Sequence, residues 1–89
     1  MSDGLAARRK RLLMQSRRRG MRETDLILGG FAAAHLDRFT ADQLDRYETL
    51  LACPDPDILA WASGTPAPAP FDTDVMTLLQ NFKTRVSST

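Results

Sequence analysis

Disulfide bridges, membrane spans and clustered metal ligands are all missing from this 89-residue chain. Its one cysteine, Cys53, allows no bridge within the monomer and points to a reducing compartment. With no His or Lys near it in sequence, Cys53 reads as a small buried hydrophobe rather than a reactive thiol. No apolar run approaches the roughly 20 residues of a spanning helix, so no membrane insertion is expected. The basic start lacks the apolar segment of a secretory signal. The one histidine, His35, falls near the end of a predicted helix, where helix-end electrostatics explains it better than catalysis. Gly29-Gly30 follows no strand and precedes no lysine, so it is no phosphate cradle. Asp55-Pro56-Asp57 offers two carboxylates, but capping already accounts for Asp55. The expectation is therefore no catalytic residue, no metal site, no tightly bound cofactor and no enzyme of its own.

What the chain does have is charge, sorted along its length. Residues 1–22 hold eight basic side chains against Asp3, for a net +7, whereas residues 23–89 hold four basic and ten acidic ones, for −6. Such a dipolar chain can steer a charged partner. The two parts can equally neutralise each other on folding.

Helix signals dominate and no strand pattern or repeat appears, so an all-α, small single-domain five-helix bundle is expected, with its core over about residues 5–86. A first helix runs from about Leu5 to Arg19, with Leu5, Leu12 and Leu13 on its apolar face. Gly20 fits a helix stop, since glycine tolerates the left-handed conformation that closes helices. The second helix offers Leu26, Ile27, Phe31 and Ala34 for burial, with Glu23 or Asp25 favourable at its N-terminus. Gly29-Gly30 inside it requires either a tight crossing or a break. Thr40 and Gln43 form a capping box for the third helix, with Phe39 stapled onto Leu44 and a stripe of Leu44, Tyr47 and Leu51. Asp55-Pro56 reads as an N-cap followed by proline at the first position of a fourth helix, which ends near Ser63-Gly64. Residues 64–71 form a proline-rich connector, extended over Thr65 to Pro70. The last helix begins at Asp72, staples Phe71 onto Met76 and buries Val75, Leu78, Leu79, Phe82 and Val86 before fraying over Ser87 to Thr89.

The most informative stretch is Arg18-Arg19-Gly20-Met21-Arg22-Glu23-Thr24-Asp25, where a basic helix meets an acidic helix start. A second is Leu50-Leu51-Ala52-Cys53-Pro54-Asp55-Pro56-Asp57-Ile58-Leu59-Ala60-Trp61. In order and separation the two resemble the signatures of the succinate dehydrogenase assembly factor family, small flavinylation factors of bacteria and mitochondria. The resemblance covers roughly residues 5–85. Thr24 departs from it, since many relatives carry leucine there. It implies a five-helix bundle that binds the flavoprotein subunit of succinate dehydrogenase, and in some bacteria fumarate reductase, and promotes covalent attachment of FAD to a histidine of that subunit. By the motif, Arg19, Gly20 and Glu23 carry over as functional positions, with Arg22 and Asp25 ranked below them.

Physical reasoning reaches the same surface. Gly20 lets a partner's backbone approach, where a larger residue would block contact and resist the turn. Arg19 offers a planar donor fork to a partner. Glu23 either accepts from partner donors or favours its own helix, and Arg19 with Glu23 could simply pair across the corner. Trp61 is either a core plug or an interface anchor. Partner-binding candidates are thus Arg19, Gly20, Glu23, Arg22, Asp25 and Trp61, in a factor that is monomeric when free. The alternative is a nucleic-acid-binding or regulatory module using the basic first helix, although that helix lacks interleaved aromatics. A self-associating bundle with the Trp61 helix as dimer face is a third reading. A bacterial cytoplasmic location is expected over the mitochondrial matrix, because no separate transit segment precedes the first helix.

Overall fold

The computed structural model describes residues 3–87. Ser88 and Thr89, on which part of the expected fraying falls, lie outside the described residues. Five α-helices follow in order: α1 (Asp3–Ser16), α2 (Arg22–His35), α3 (Ala41–Leu51), α4 (Asp55–Ala62) and α5 (Asp74–Ser87). Short 3-10 turns at Leu36–Arg38 and Ala69–Phe71 join α2 to α3 and lead into α5. No strand occurs among the described residues. The all-α five-helix expectation holds.

One continuous core lies between the helices. Leu12, Leu28, Leu44, Tyr47, Phe31 and Leu79 are fully buried within it. Phe31 is its aromatic hub, with ring centroids at 5.6 Å from Tyr47, 5.9 Å from Phe82 and 6.0 Å from Phe39. Tyr47 keeps its hydroxyl satisfied against Ser16, whose Oγ donates to the Leu12 carbonyl at 2.8 Å. Burial pushes the Tyr47 phenol up to about 12, and the Ser16 hydrogen bond only partly offsets this. The polar pair is thus a locked joint between α1 and α3.

Several boundaries differ from expectation for identifiable reasons. α1 stops at Ser16, and Arg17 and Arg18 turn the chain through bonds to the Met14 and Gln15 carbonyls at 3.1 and 3.3 Å. Gly20 is not left-handed; the one positive-φ residue among those described is Gly64, at 118°, where α4 ends as expected. Thr40 and Gln43 form the reciprocal capping box of α3, with Phe39 and Leu44 both buried. The N-cap of α4 is Pro54, which makes Asp55 the first helical residue and frees its carboxylate for another role. α5 begins at Asp74 rather than at Asp72, and Oγ1 of Thr73 before it accepts from the Met76 N–H at 3.5 Å. Phe71 stacks on Trp61 and packs against the core. The proline-rich connector is extended only to Pro68, then closes into its 3-10 turn.

α2 buries Thr24, Ile27, Leu28, Phe31 and Ala32. Leu26 is 68% exposed and Ala34 is exposed, contrary to expectation. Leu5 and Val86 are exposed as well. The helix does not break at Gly29-Gly30; it is crossed there. A Cβ on Gly29 would stand 3.1 Å from Cγ of Arg17, and one on Gly30 would stand 3.0 Å from the Phe82 ring. These two close approaches let α5 and the post-α1 turn press onto α2, at a cost of roughly 1 kcal/mol of helix propensity per glycine.

Thr24 is 1% exposed, yet its Oγ1 has no hydrogen-bond partner. An apolar side chain suits that position better, in keeping with its departure from the motif. Thr24→Val keeps the shape and removes the orphan hydroxyl. It should raise stability by about 1 kcal/mol and Tm by roughly 4–8 °C, read by calorimetry.

His35 ends α2 with its ring 4.6 Å from that of Phe31. Burial, followed by the positive charges of Arg38 and Arg85, holds its pKa below the ordinary 6.5. The unfolded chain therefore takes up the proton more readily than the folded one. This contribution is fully present above pH 6.5 and is lost as acid protonates His35. Thermal melts should show Tm falling from pH 7 toward pH 5.5, roughly a unit below the ordinary histidine value, with a shallower fall in His35→Gln.

Candidate functional site: a corner held by an ionic staple

The extended stretch after α1 carries Arg19 across to the junction of α3 and α4. There its side chain is 14% exposed and that of Asp55 12%. Nε of Arg19 donates to Oδ1 of Asp55 at 2.8 Å, and the second guanidinium nitrogen lies 2.6 Å from the same oxygen. The remaining donors go to the Leu51 carbonyl at 2.7 Å and the Cys53 carbonyl at 3.0 Å. A guanidinium thus closes the C-terminal end of α3, where unpaired carbonyls concentrate negative potential. Only its planar fork can serve carboxylate and both carbonyls together.

Asp55 uses its second oxygen as well, accepting the Met21 N–H at 3.2 Å. Asp25 reaches back from the first turn of α2 to accept the Arg19 backbone N–H. The backbone on both sides of Gly20 is therefore held by two carboxylates, one from each motif. Met21 is the extended residue before α2. The staple accounts for why the two motifs occur together in sequence.

The six candidate residues separate cleanly. Arg19 and Asp25 face inward and build the corner; Arg19 is not a free fork, and it pairs with Asp55 rather than Glu23. Gly20, Arg22 and Glu23 face solvent. No heavy atom lies within 4 Å of where a Gly20 Cβ would stand. The Glu23 carboxylate forms no hydrogen bond or ion pair with any described residue. Leu26 extends the same exposed surface one turn further along α2. Trp61 is not gathered into this corner. It is half-buried at the far end of α4, stacked on Phe71 with centroids 5.2 Å apart and planes 17° from parallel, and its carbonyl accepts from Gln80 at 3.0 Å.

Asp55 is the site residue that sequence reasoning assigned elsewhere, to helix capping. The available signal was the spacing of the two motifs, each of which carries one half of an ion pair. Cys53 is half-buried; burial first, and then the charge of Asp57, push its thiol up, against the opposing effect of Arg19. That accords with an unreactive thiol.

The charge asymmetry is partly discharged on folding. Arg8 pairs with Asp45 and Glu48 of α3, and Arg11 with Glu48. Arg9 donates to the Leu36 and Phe39 carbonyls at 2.9 and 2.8 Å. Lys10, Arg17, Arg18 and Arg22 form no ion pair among the described residues, so a cationic surface persists along α1 and the corner.

Fold and corner define a small helical bundle whose exposed turn is held by a largely buried ionic staple. The chain belongs to the family described as the flavinator of succinate dehydrogenase, whose family model matches residues 10–83. Among similar proteins, succinate dehydrogenase assembly factor 2-A, mitochondrial, of Drosophila ananassae is 49% identical over 81 residues, covering 88% of this chain and 52% of the relative. Succinate dehydrogenase assembly factor 2-B, mitochondrial, of Drosophila melanogaster is 48% identical over 81 residues, with the same coverage of each. The chain thus spans about half the length of the curated relatives it matches.

These matches bear out the family resemblance and give the nucleic-acid alternative no support. They overturn the expected bacterial cytoplasmic location, since both relatives are named mitochondrial. The expectation rested on what precedes the first helix, and the start of a chain that spans half of its relatives carries no such information.

Proposed function

We propose that this chain binds the flavoprotein subunit of succinate dehydrogenase and promotes covalent attachment of FAD to it. It acts as an assembly chaperone and supplies no reacting group. The setting that its relatives' names support is the mitochondrion. FAD belongs to the client, and the chain itself holds no cofactor tightly. Fumarate reductase flavoprotein is a second client to assay, and the free factor is a monomer.

The observation that carries this reading is the exposed corner. Gly20 and Glu23 stand clear of internal contacts on backbone that Asp25 and Asp55 hold in place. A residue that the fold does not need, on a turn that the fold fixes, is suited to a partner's close approach. Docked there, the bundle would contribute by position. Holding the client's domains so that its histidine meets the flavin lowers the barrier through proximity and preorganised electrostatics. Arg22 and Glu23 provide one donor and one acceptor for the client surface, while Trp61 contributes by packing α4.

The test is co-purification of the tagged chain with the flavoprotein subunit, followed by in-gel flavin fluorescence of the denatured client. Covalent flavin should rise only when the factor is present. No complex and unchanged flavin would reject the reading.

A further inference from the structure

An open groove of about 770 Å3 runs between α1 and the C-terminal end of α3. Ala7, Lys10 and Met14 line it from α1, Arg18 from the turn that follows α1, Glu48 from α3 and Ala52 from that helix's C-terminal cap. The α1 positions fall at i, i+3 and i+7, so they share one face over two turns, about 10 Å. A trough between two neighbouring helices has the shape that receives a third.

Its chemistry narrows the occupant. Met14, 43% exposed, lies on the α1 wall and offers an adaptable apolar contact. Glu48 is already engaged by Arg8 and Arg11. Lys10 on α1 and Arg18 on the turn after it form no ion pair among the described residues, and both line the groove with Met14. An apolar floor flanked by two available cations complements an amphipathic helix that carries carboxylates beside its apolar face. A nucleic-acid strand would meet methionine and alanine where it needs stacking rings or further cations. The groove also reaches Arg19, so it is continuous with the corner.

We infer that this groove docks an acidic amphipathic helix of the partner protein, with Met14 against its apolar face and Lys10 and Arg18 each taking a carboxylate. The inference rests on the proposed binding of a flavoprotein subunit and extends that contact from the corner along α1.

The test places a photo-cross-linking benzoylphenylalanine at Gln15, which lines the groove, or at exposed Asn81 on α5, and adds the purified succinate dehydrogenase flavoprotein subunit. Gln15 should cross-link to an Asp/Glu-rich helical segment, and Asn81 should not. A Lys10→Glu/Arg18→Glu variant should bind about tenfold or more weakly at low salt, with the difference shrinking as salt screens the pairs. If the complex forms, Gln15 gives no cross-link and the double variant binds like wild type, the groove assignment falls while the corner reading stands. If Gly20→Arg binds normally and the Gln15 cross-link persists, the corner fails and the groove stands. Should the double variant lose duplex DNA but keep the flavoprotein subunit, the groove is a phosphate site and the inference is overturned. If wild type forms no complex, both readings fall.

Discussion

Gly20→Arg should leave the protein folded and abolish the support of flavinylation that we propose for it. The fold has no need of glycine at this position: its φ is not left-handed, and a Cβ there meets nothing within 4 Å. An exposed substitution of this kind shifts stability by about 0.5 kcal/mol or less, so Tm should move by no more than roughly 4 °C. A docking partner would instead meet a long charged side chain where backbone approach is required. Loss of a central interface contact costs about 2 kcal/mol or more, which weakens client binding at least roughly thirtyfold. Circular dichroism melts and covalent flavin fluorescence, run on the same preparations, separate the two effects. Wild-type flavin levels in a folded variant would remove Gly20 from the interface.

Arg19→Ala does the reverse first. It strips one guanidinium from Asp55 and from the Leu51 and Cys53 carbonyls at once. Breaking such a largely buried pair leaves a carboxylate and two carbonyls without their partner, at a cost of about 3 kcal/mol. For a domain of this size Tm should drop by roughly 12 °C or more. Arg19→Lys retains the charge but cannot serve three acceptors in one plane, so it should recover only part of that loss. Asp55→Ala should match Arg19→Ala, and the double variant should cost much less than the sum of the two. Additive losses would mean that the two residues act separately. Activity lost by these variants at a temperature where they remain folded would reflect a loosened corner.

The contrast between these variants shows what the sequence could and could not reveal. The α3 capping box was legible because Thr40 and Gln43 lie three residues apart and settle their own geometry. The surface formed by the motif was legible too. Its division was not, because Arg19 and Asp55 meet across 36 residues of chain, a tertiary event that leaves no local mark. Asp55 beside a proline looks like a cap, and local pattern offers no reason to spend it elsewhere. Leu26 was misplaced for another reason. In Leu26-Ile27-Leu28 every residue is apolar, so periodicity could not choose the face, and the glycines that α5 and Arg17 cross decided it. Trp61 resisted assignment because a large ring serves equally as plug or anchor, and its stacking partner Phe71 lies ten residues away across the proline-rich connector.

That same long-range meeting has a consequence for timing during synthesis. A nascent chain that has emerged as far as Glu23 already contains Arg19, Gly20 and Glu23, yet it lacks Asp55 and the α3 carbonyls that give them their shape. The presenting turn comes into being only after α3 and the start of α4 have been made and have closed back on it. An unfinished or misfolded copy therefore carries the signature in letters but not in form.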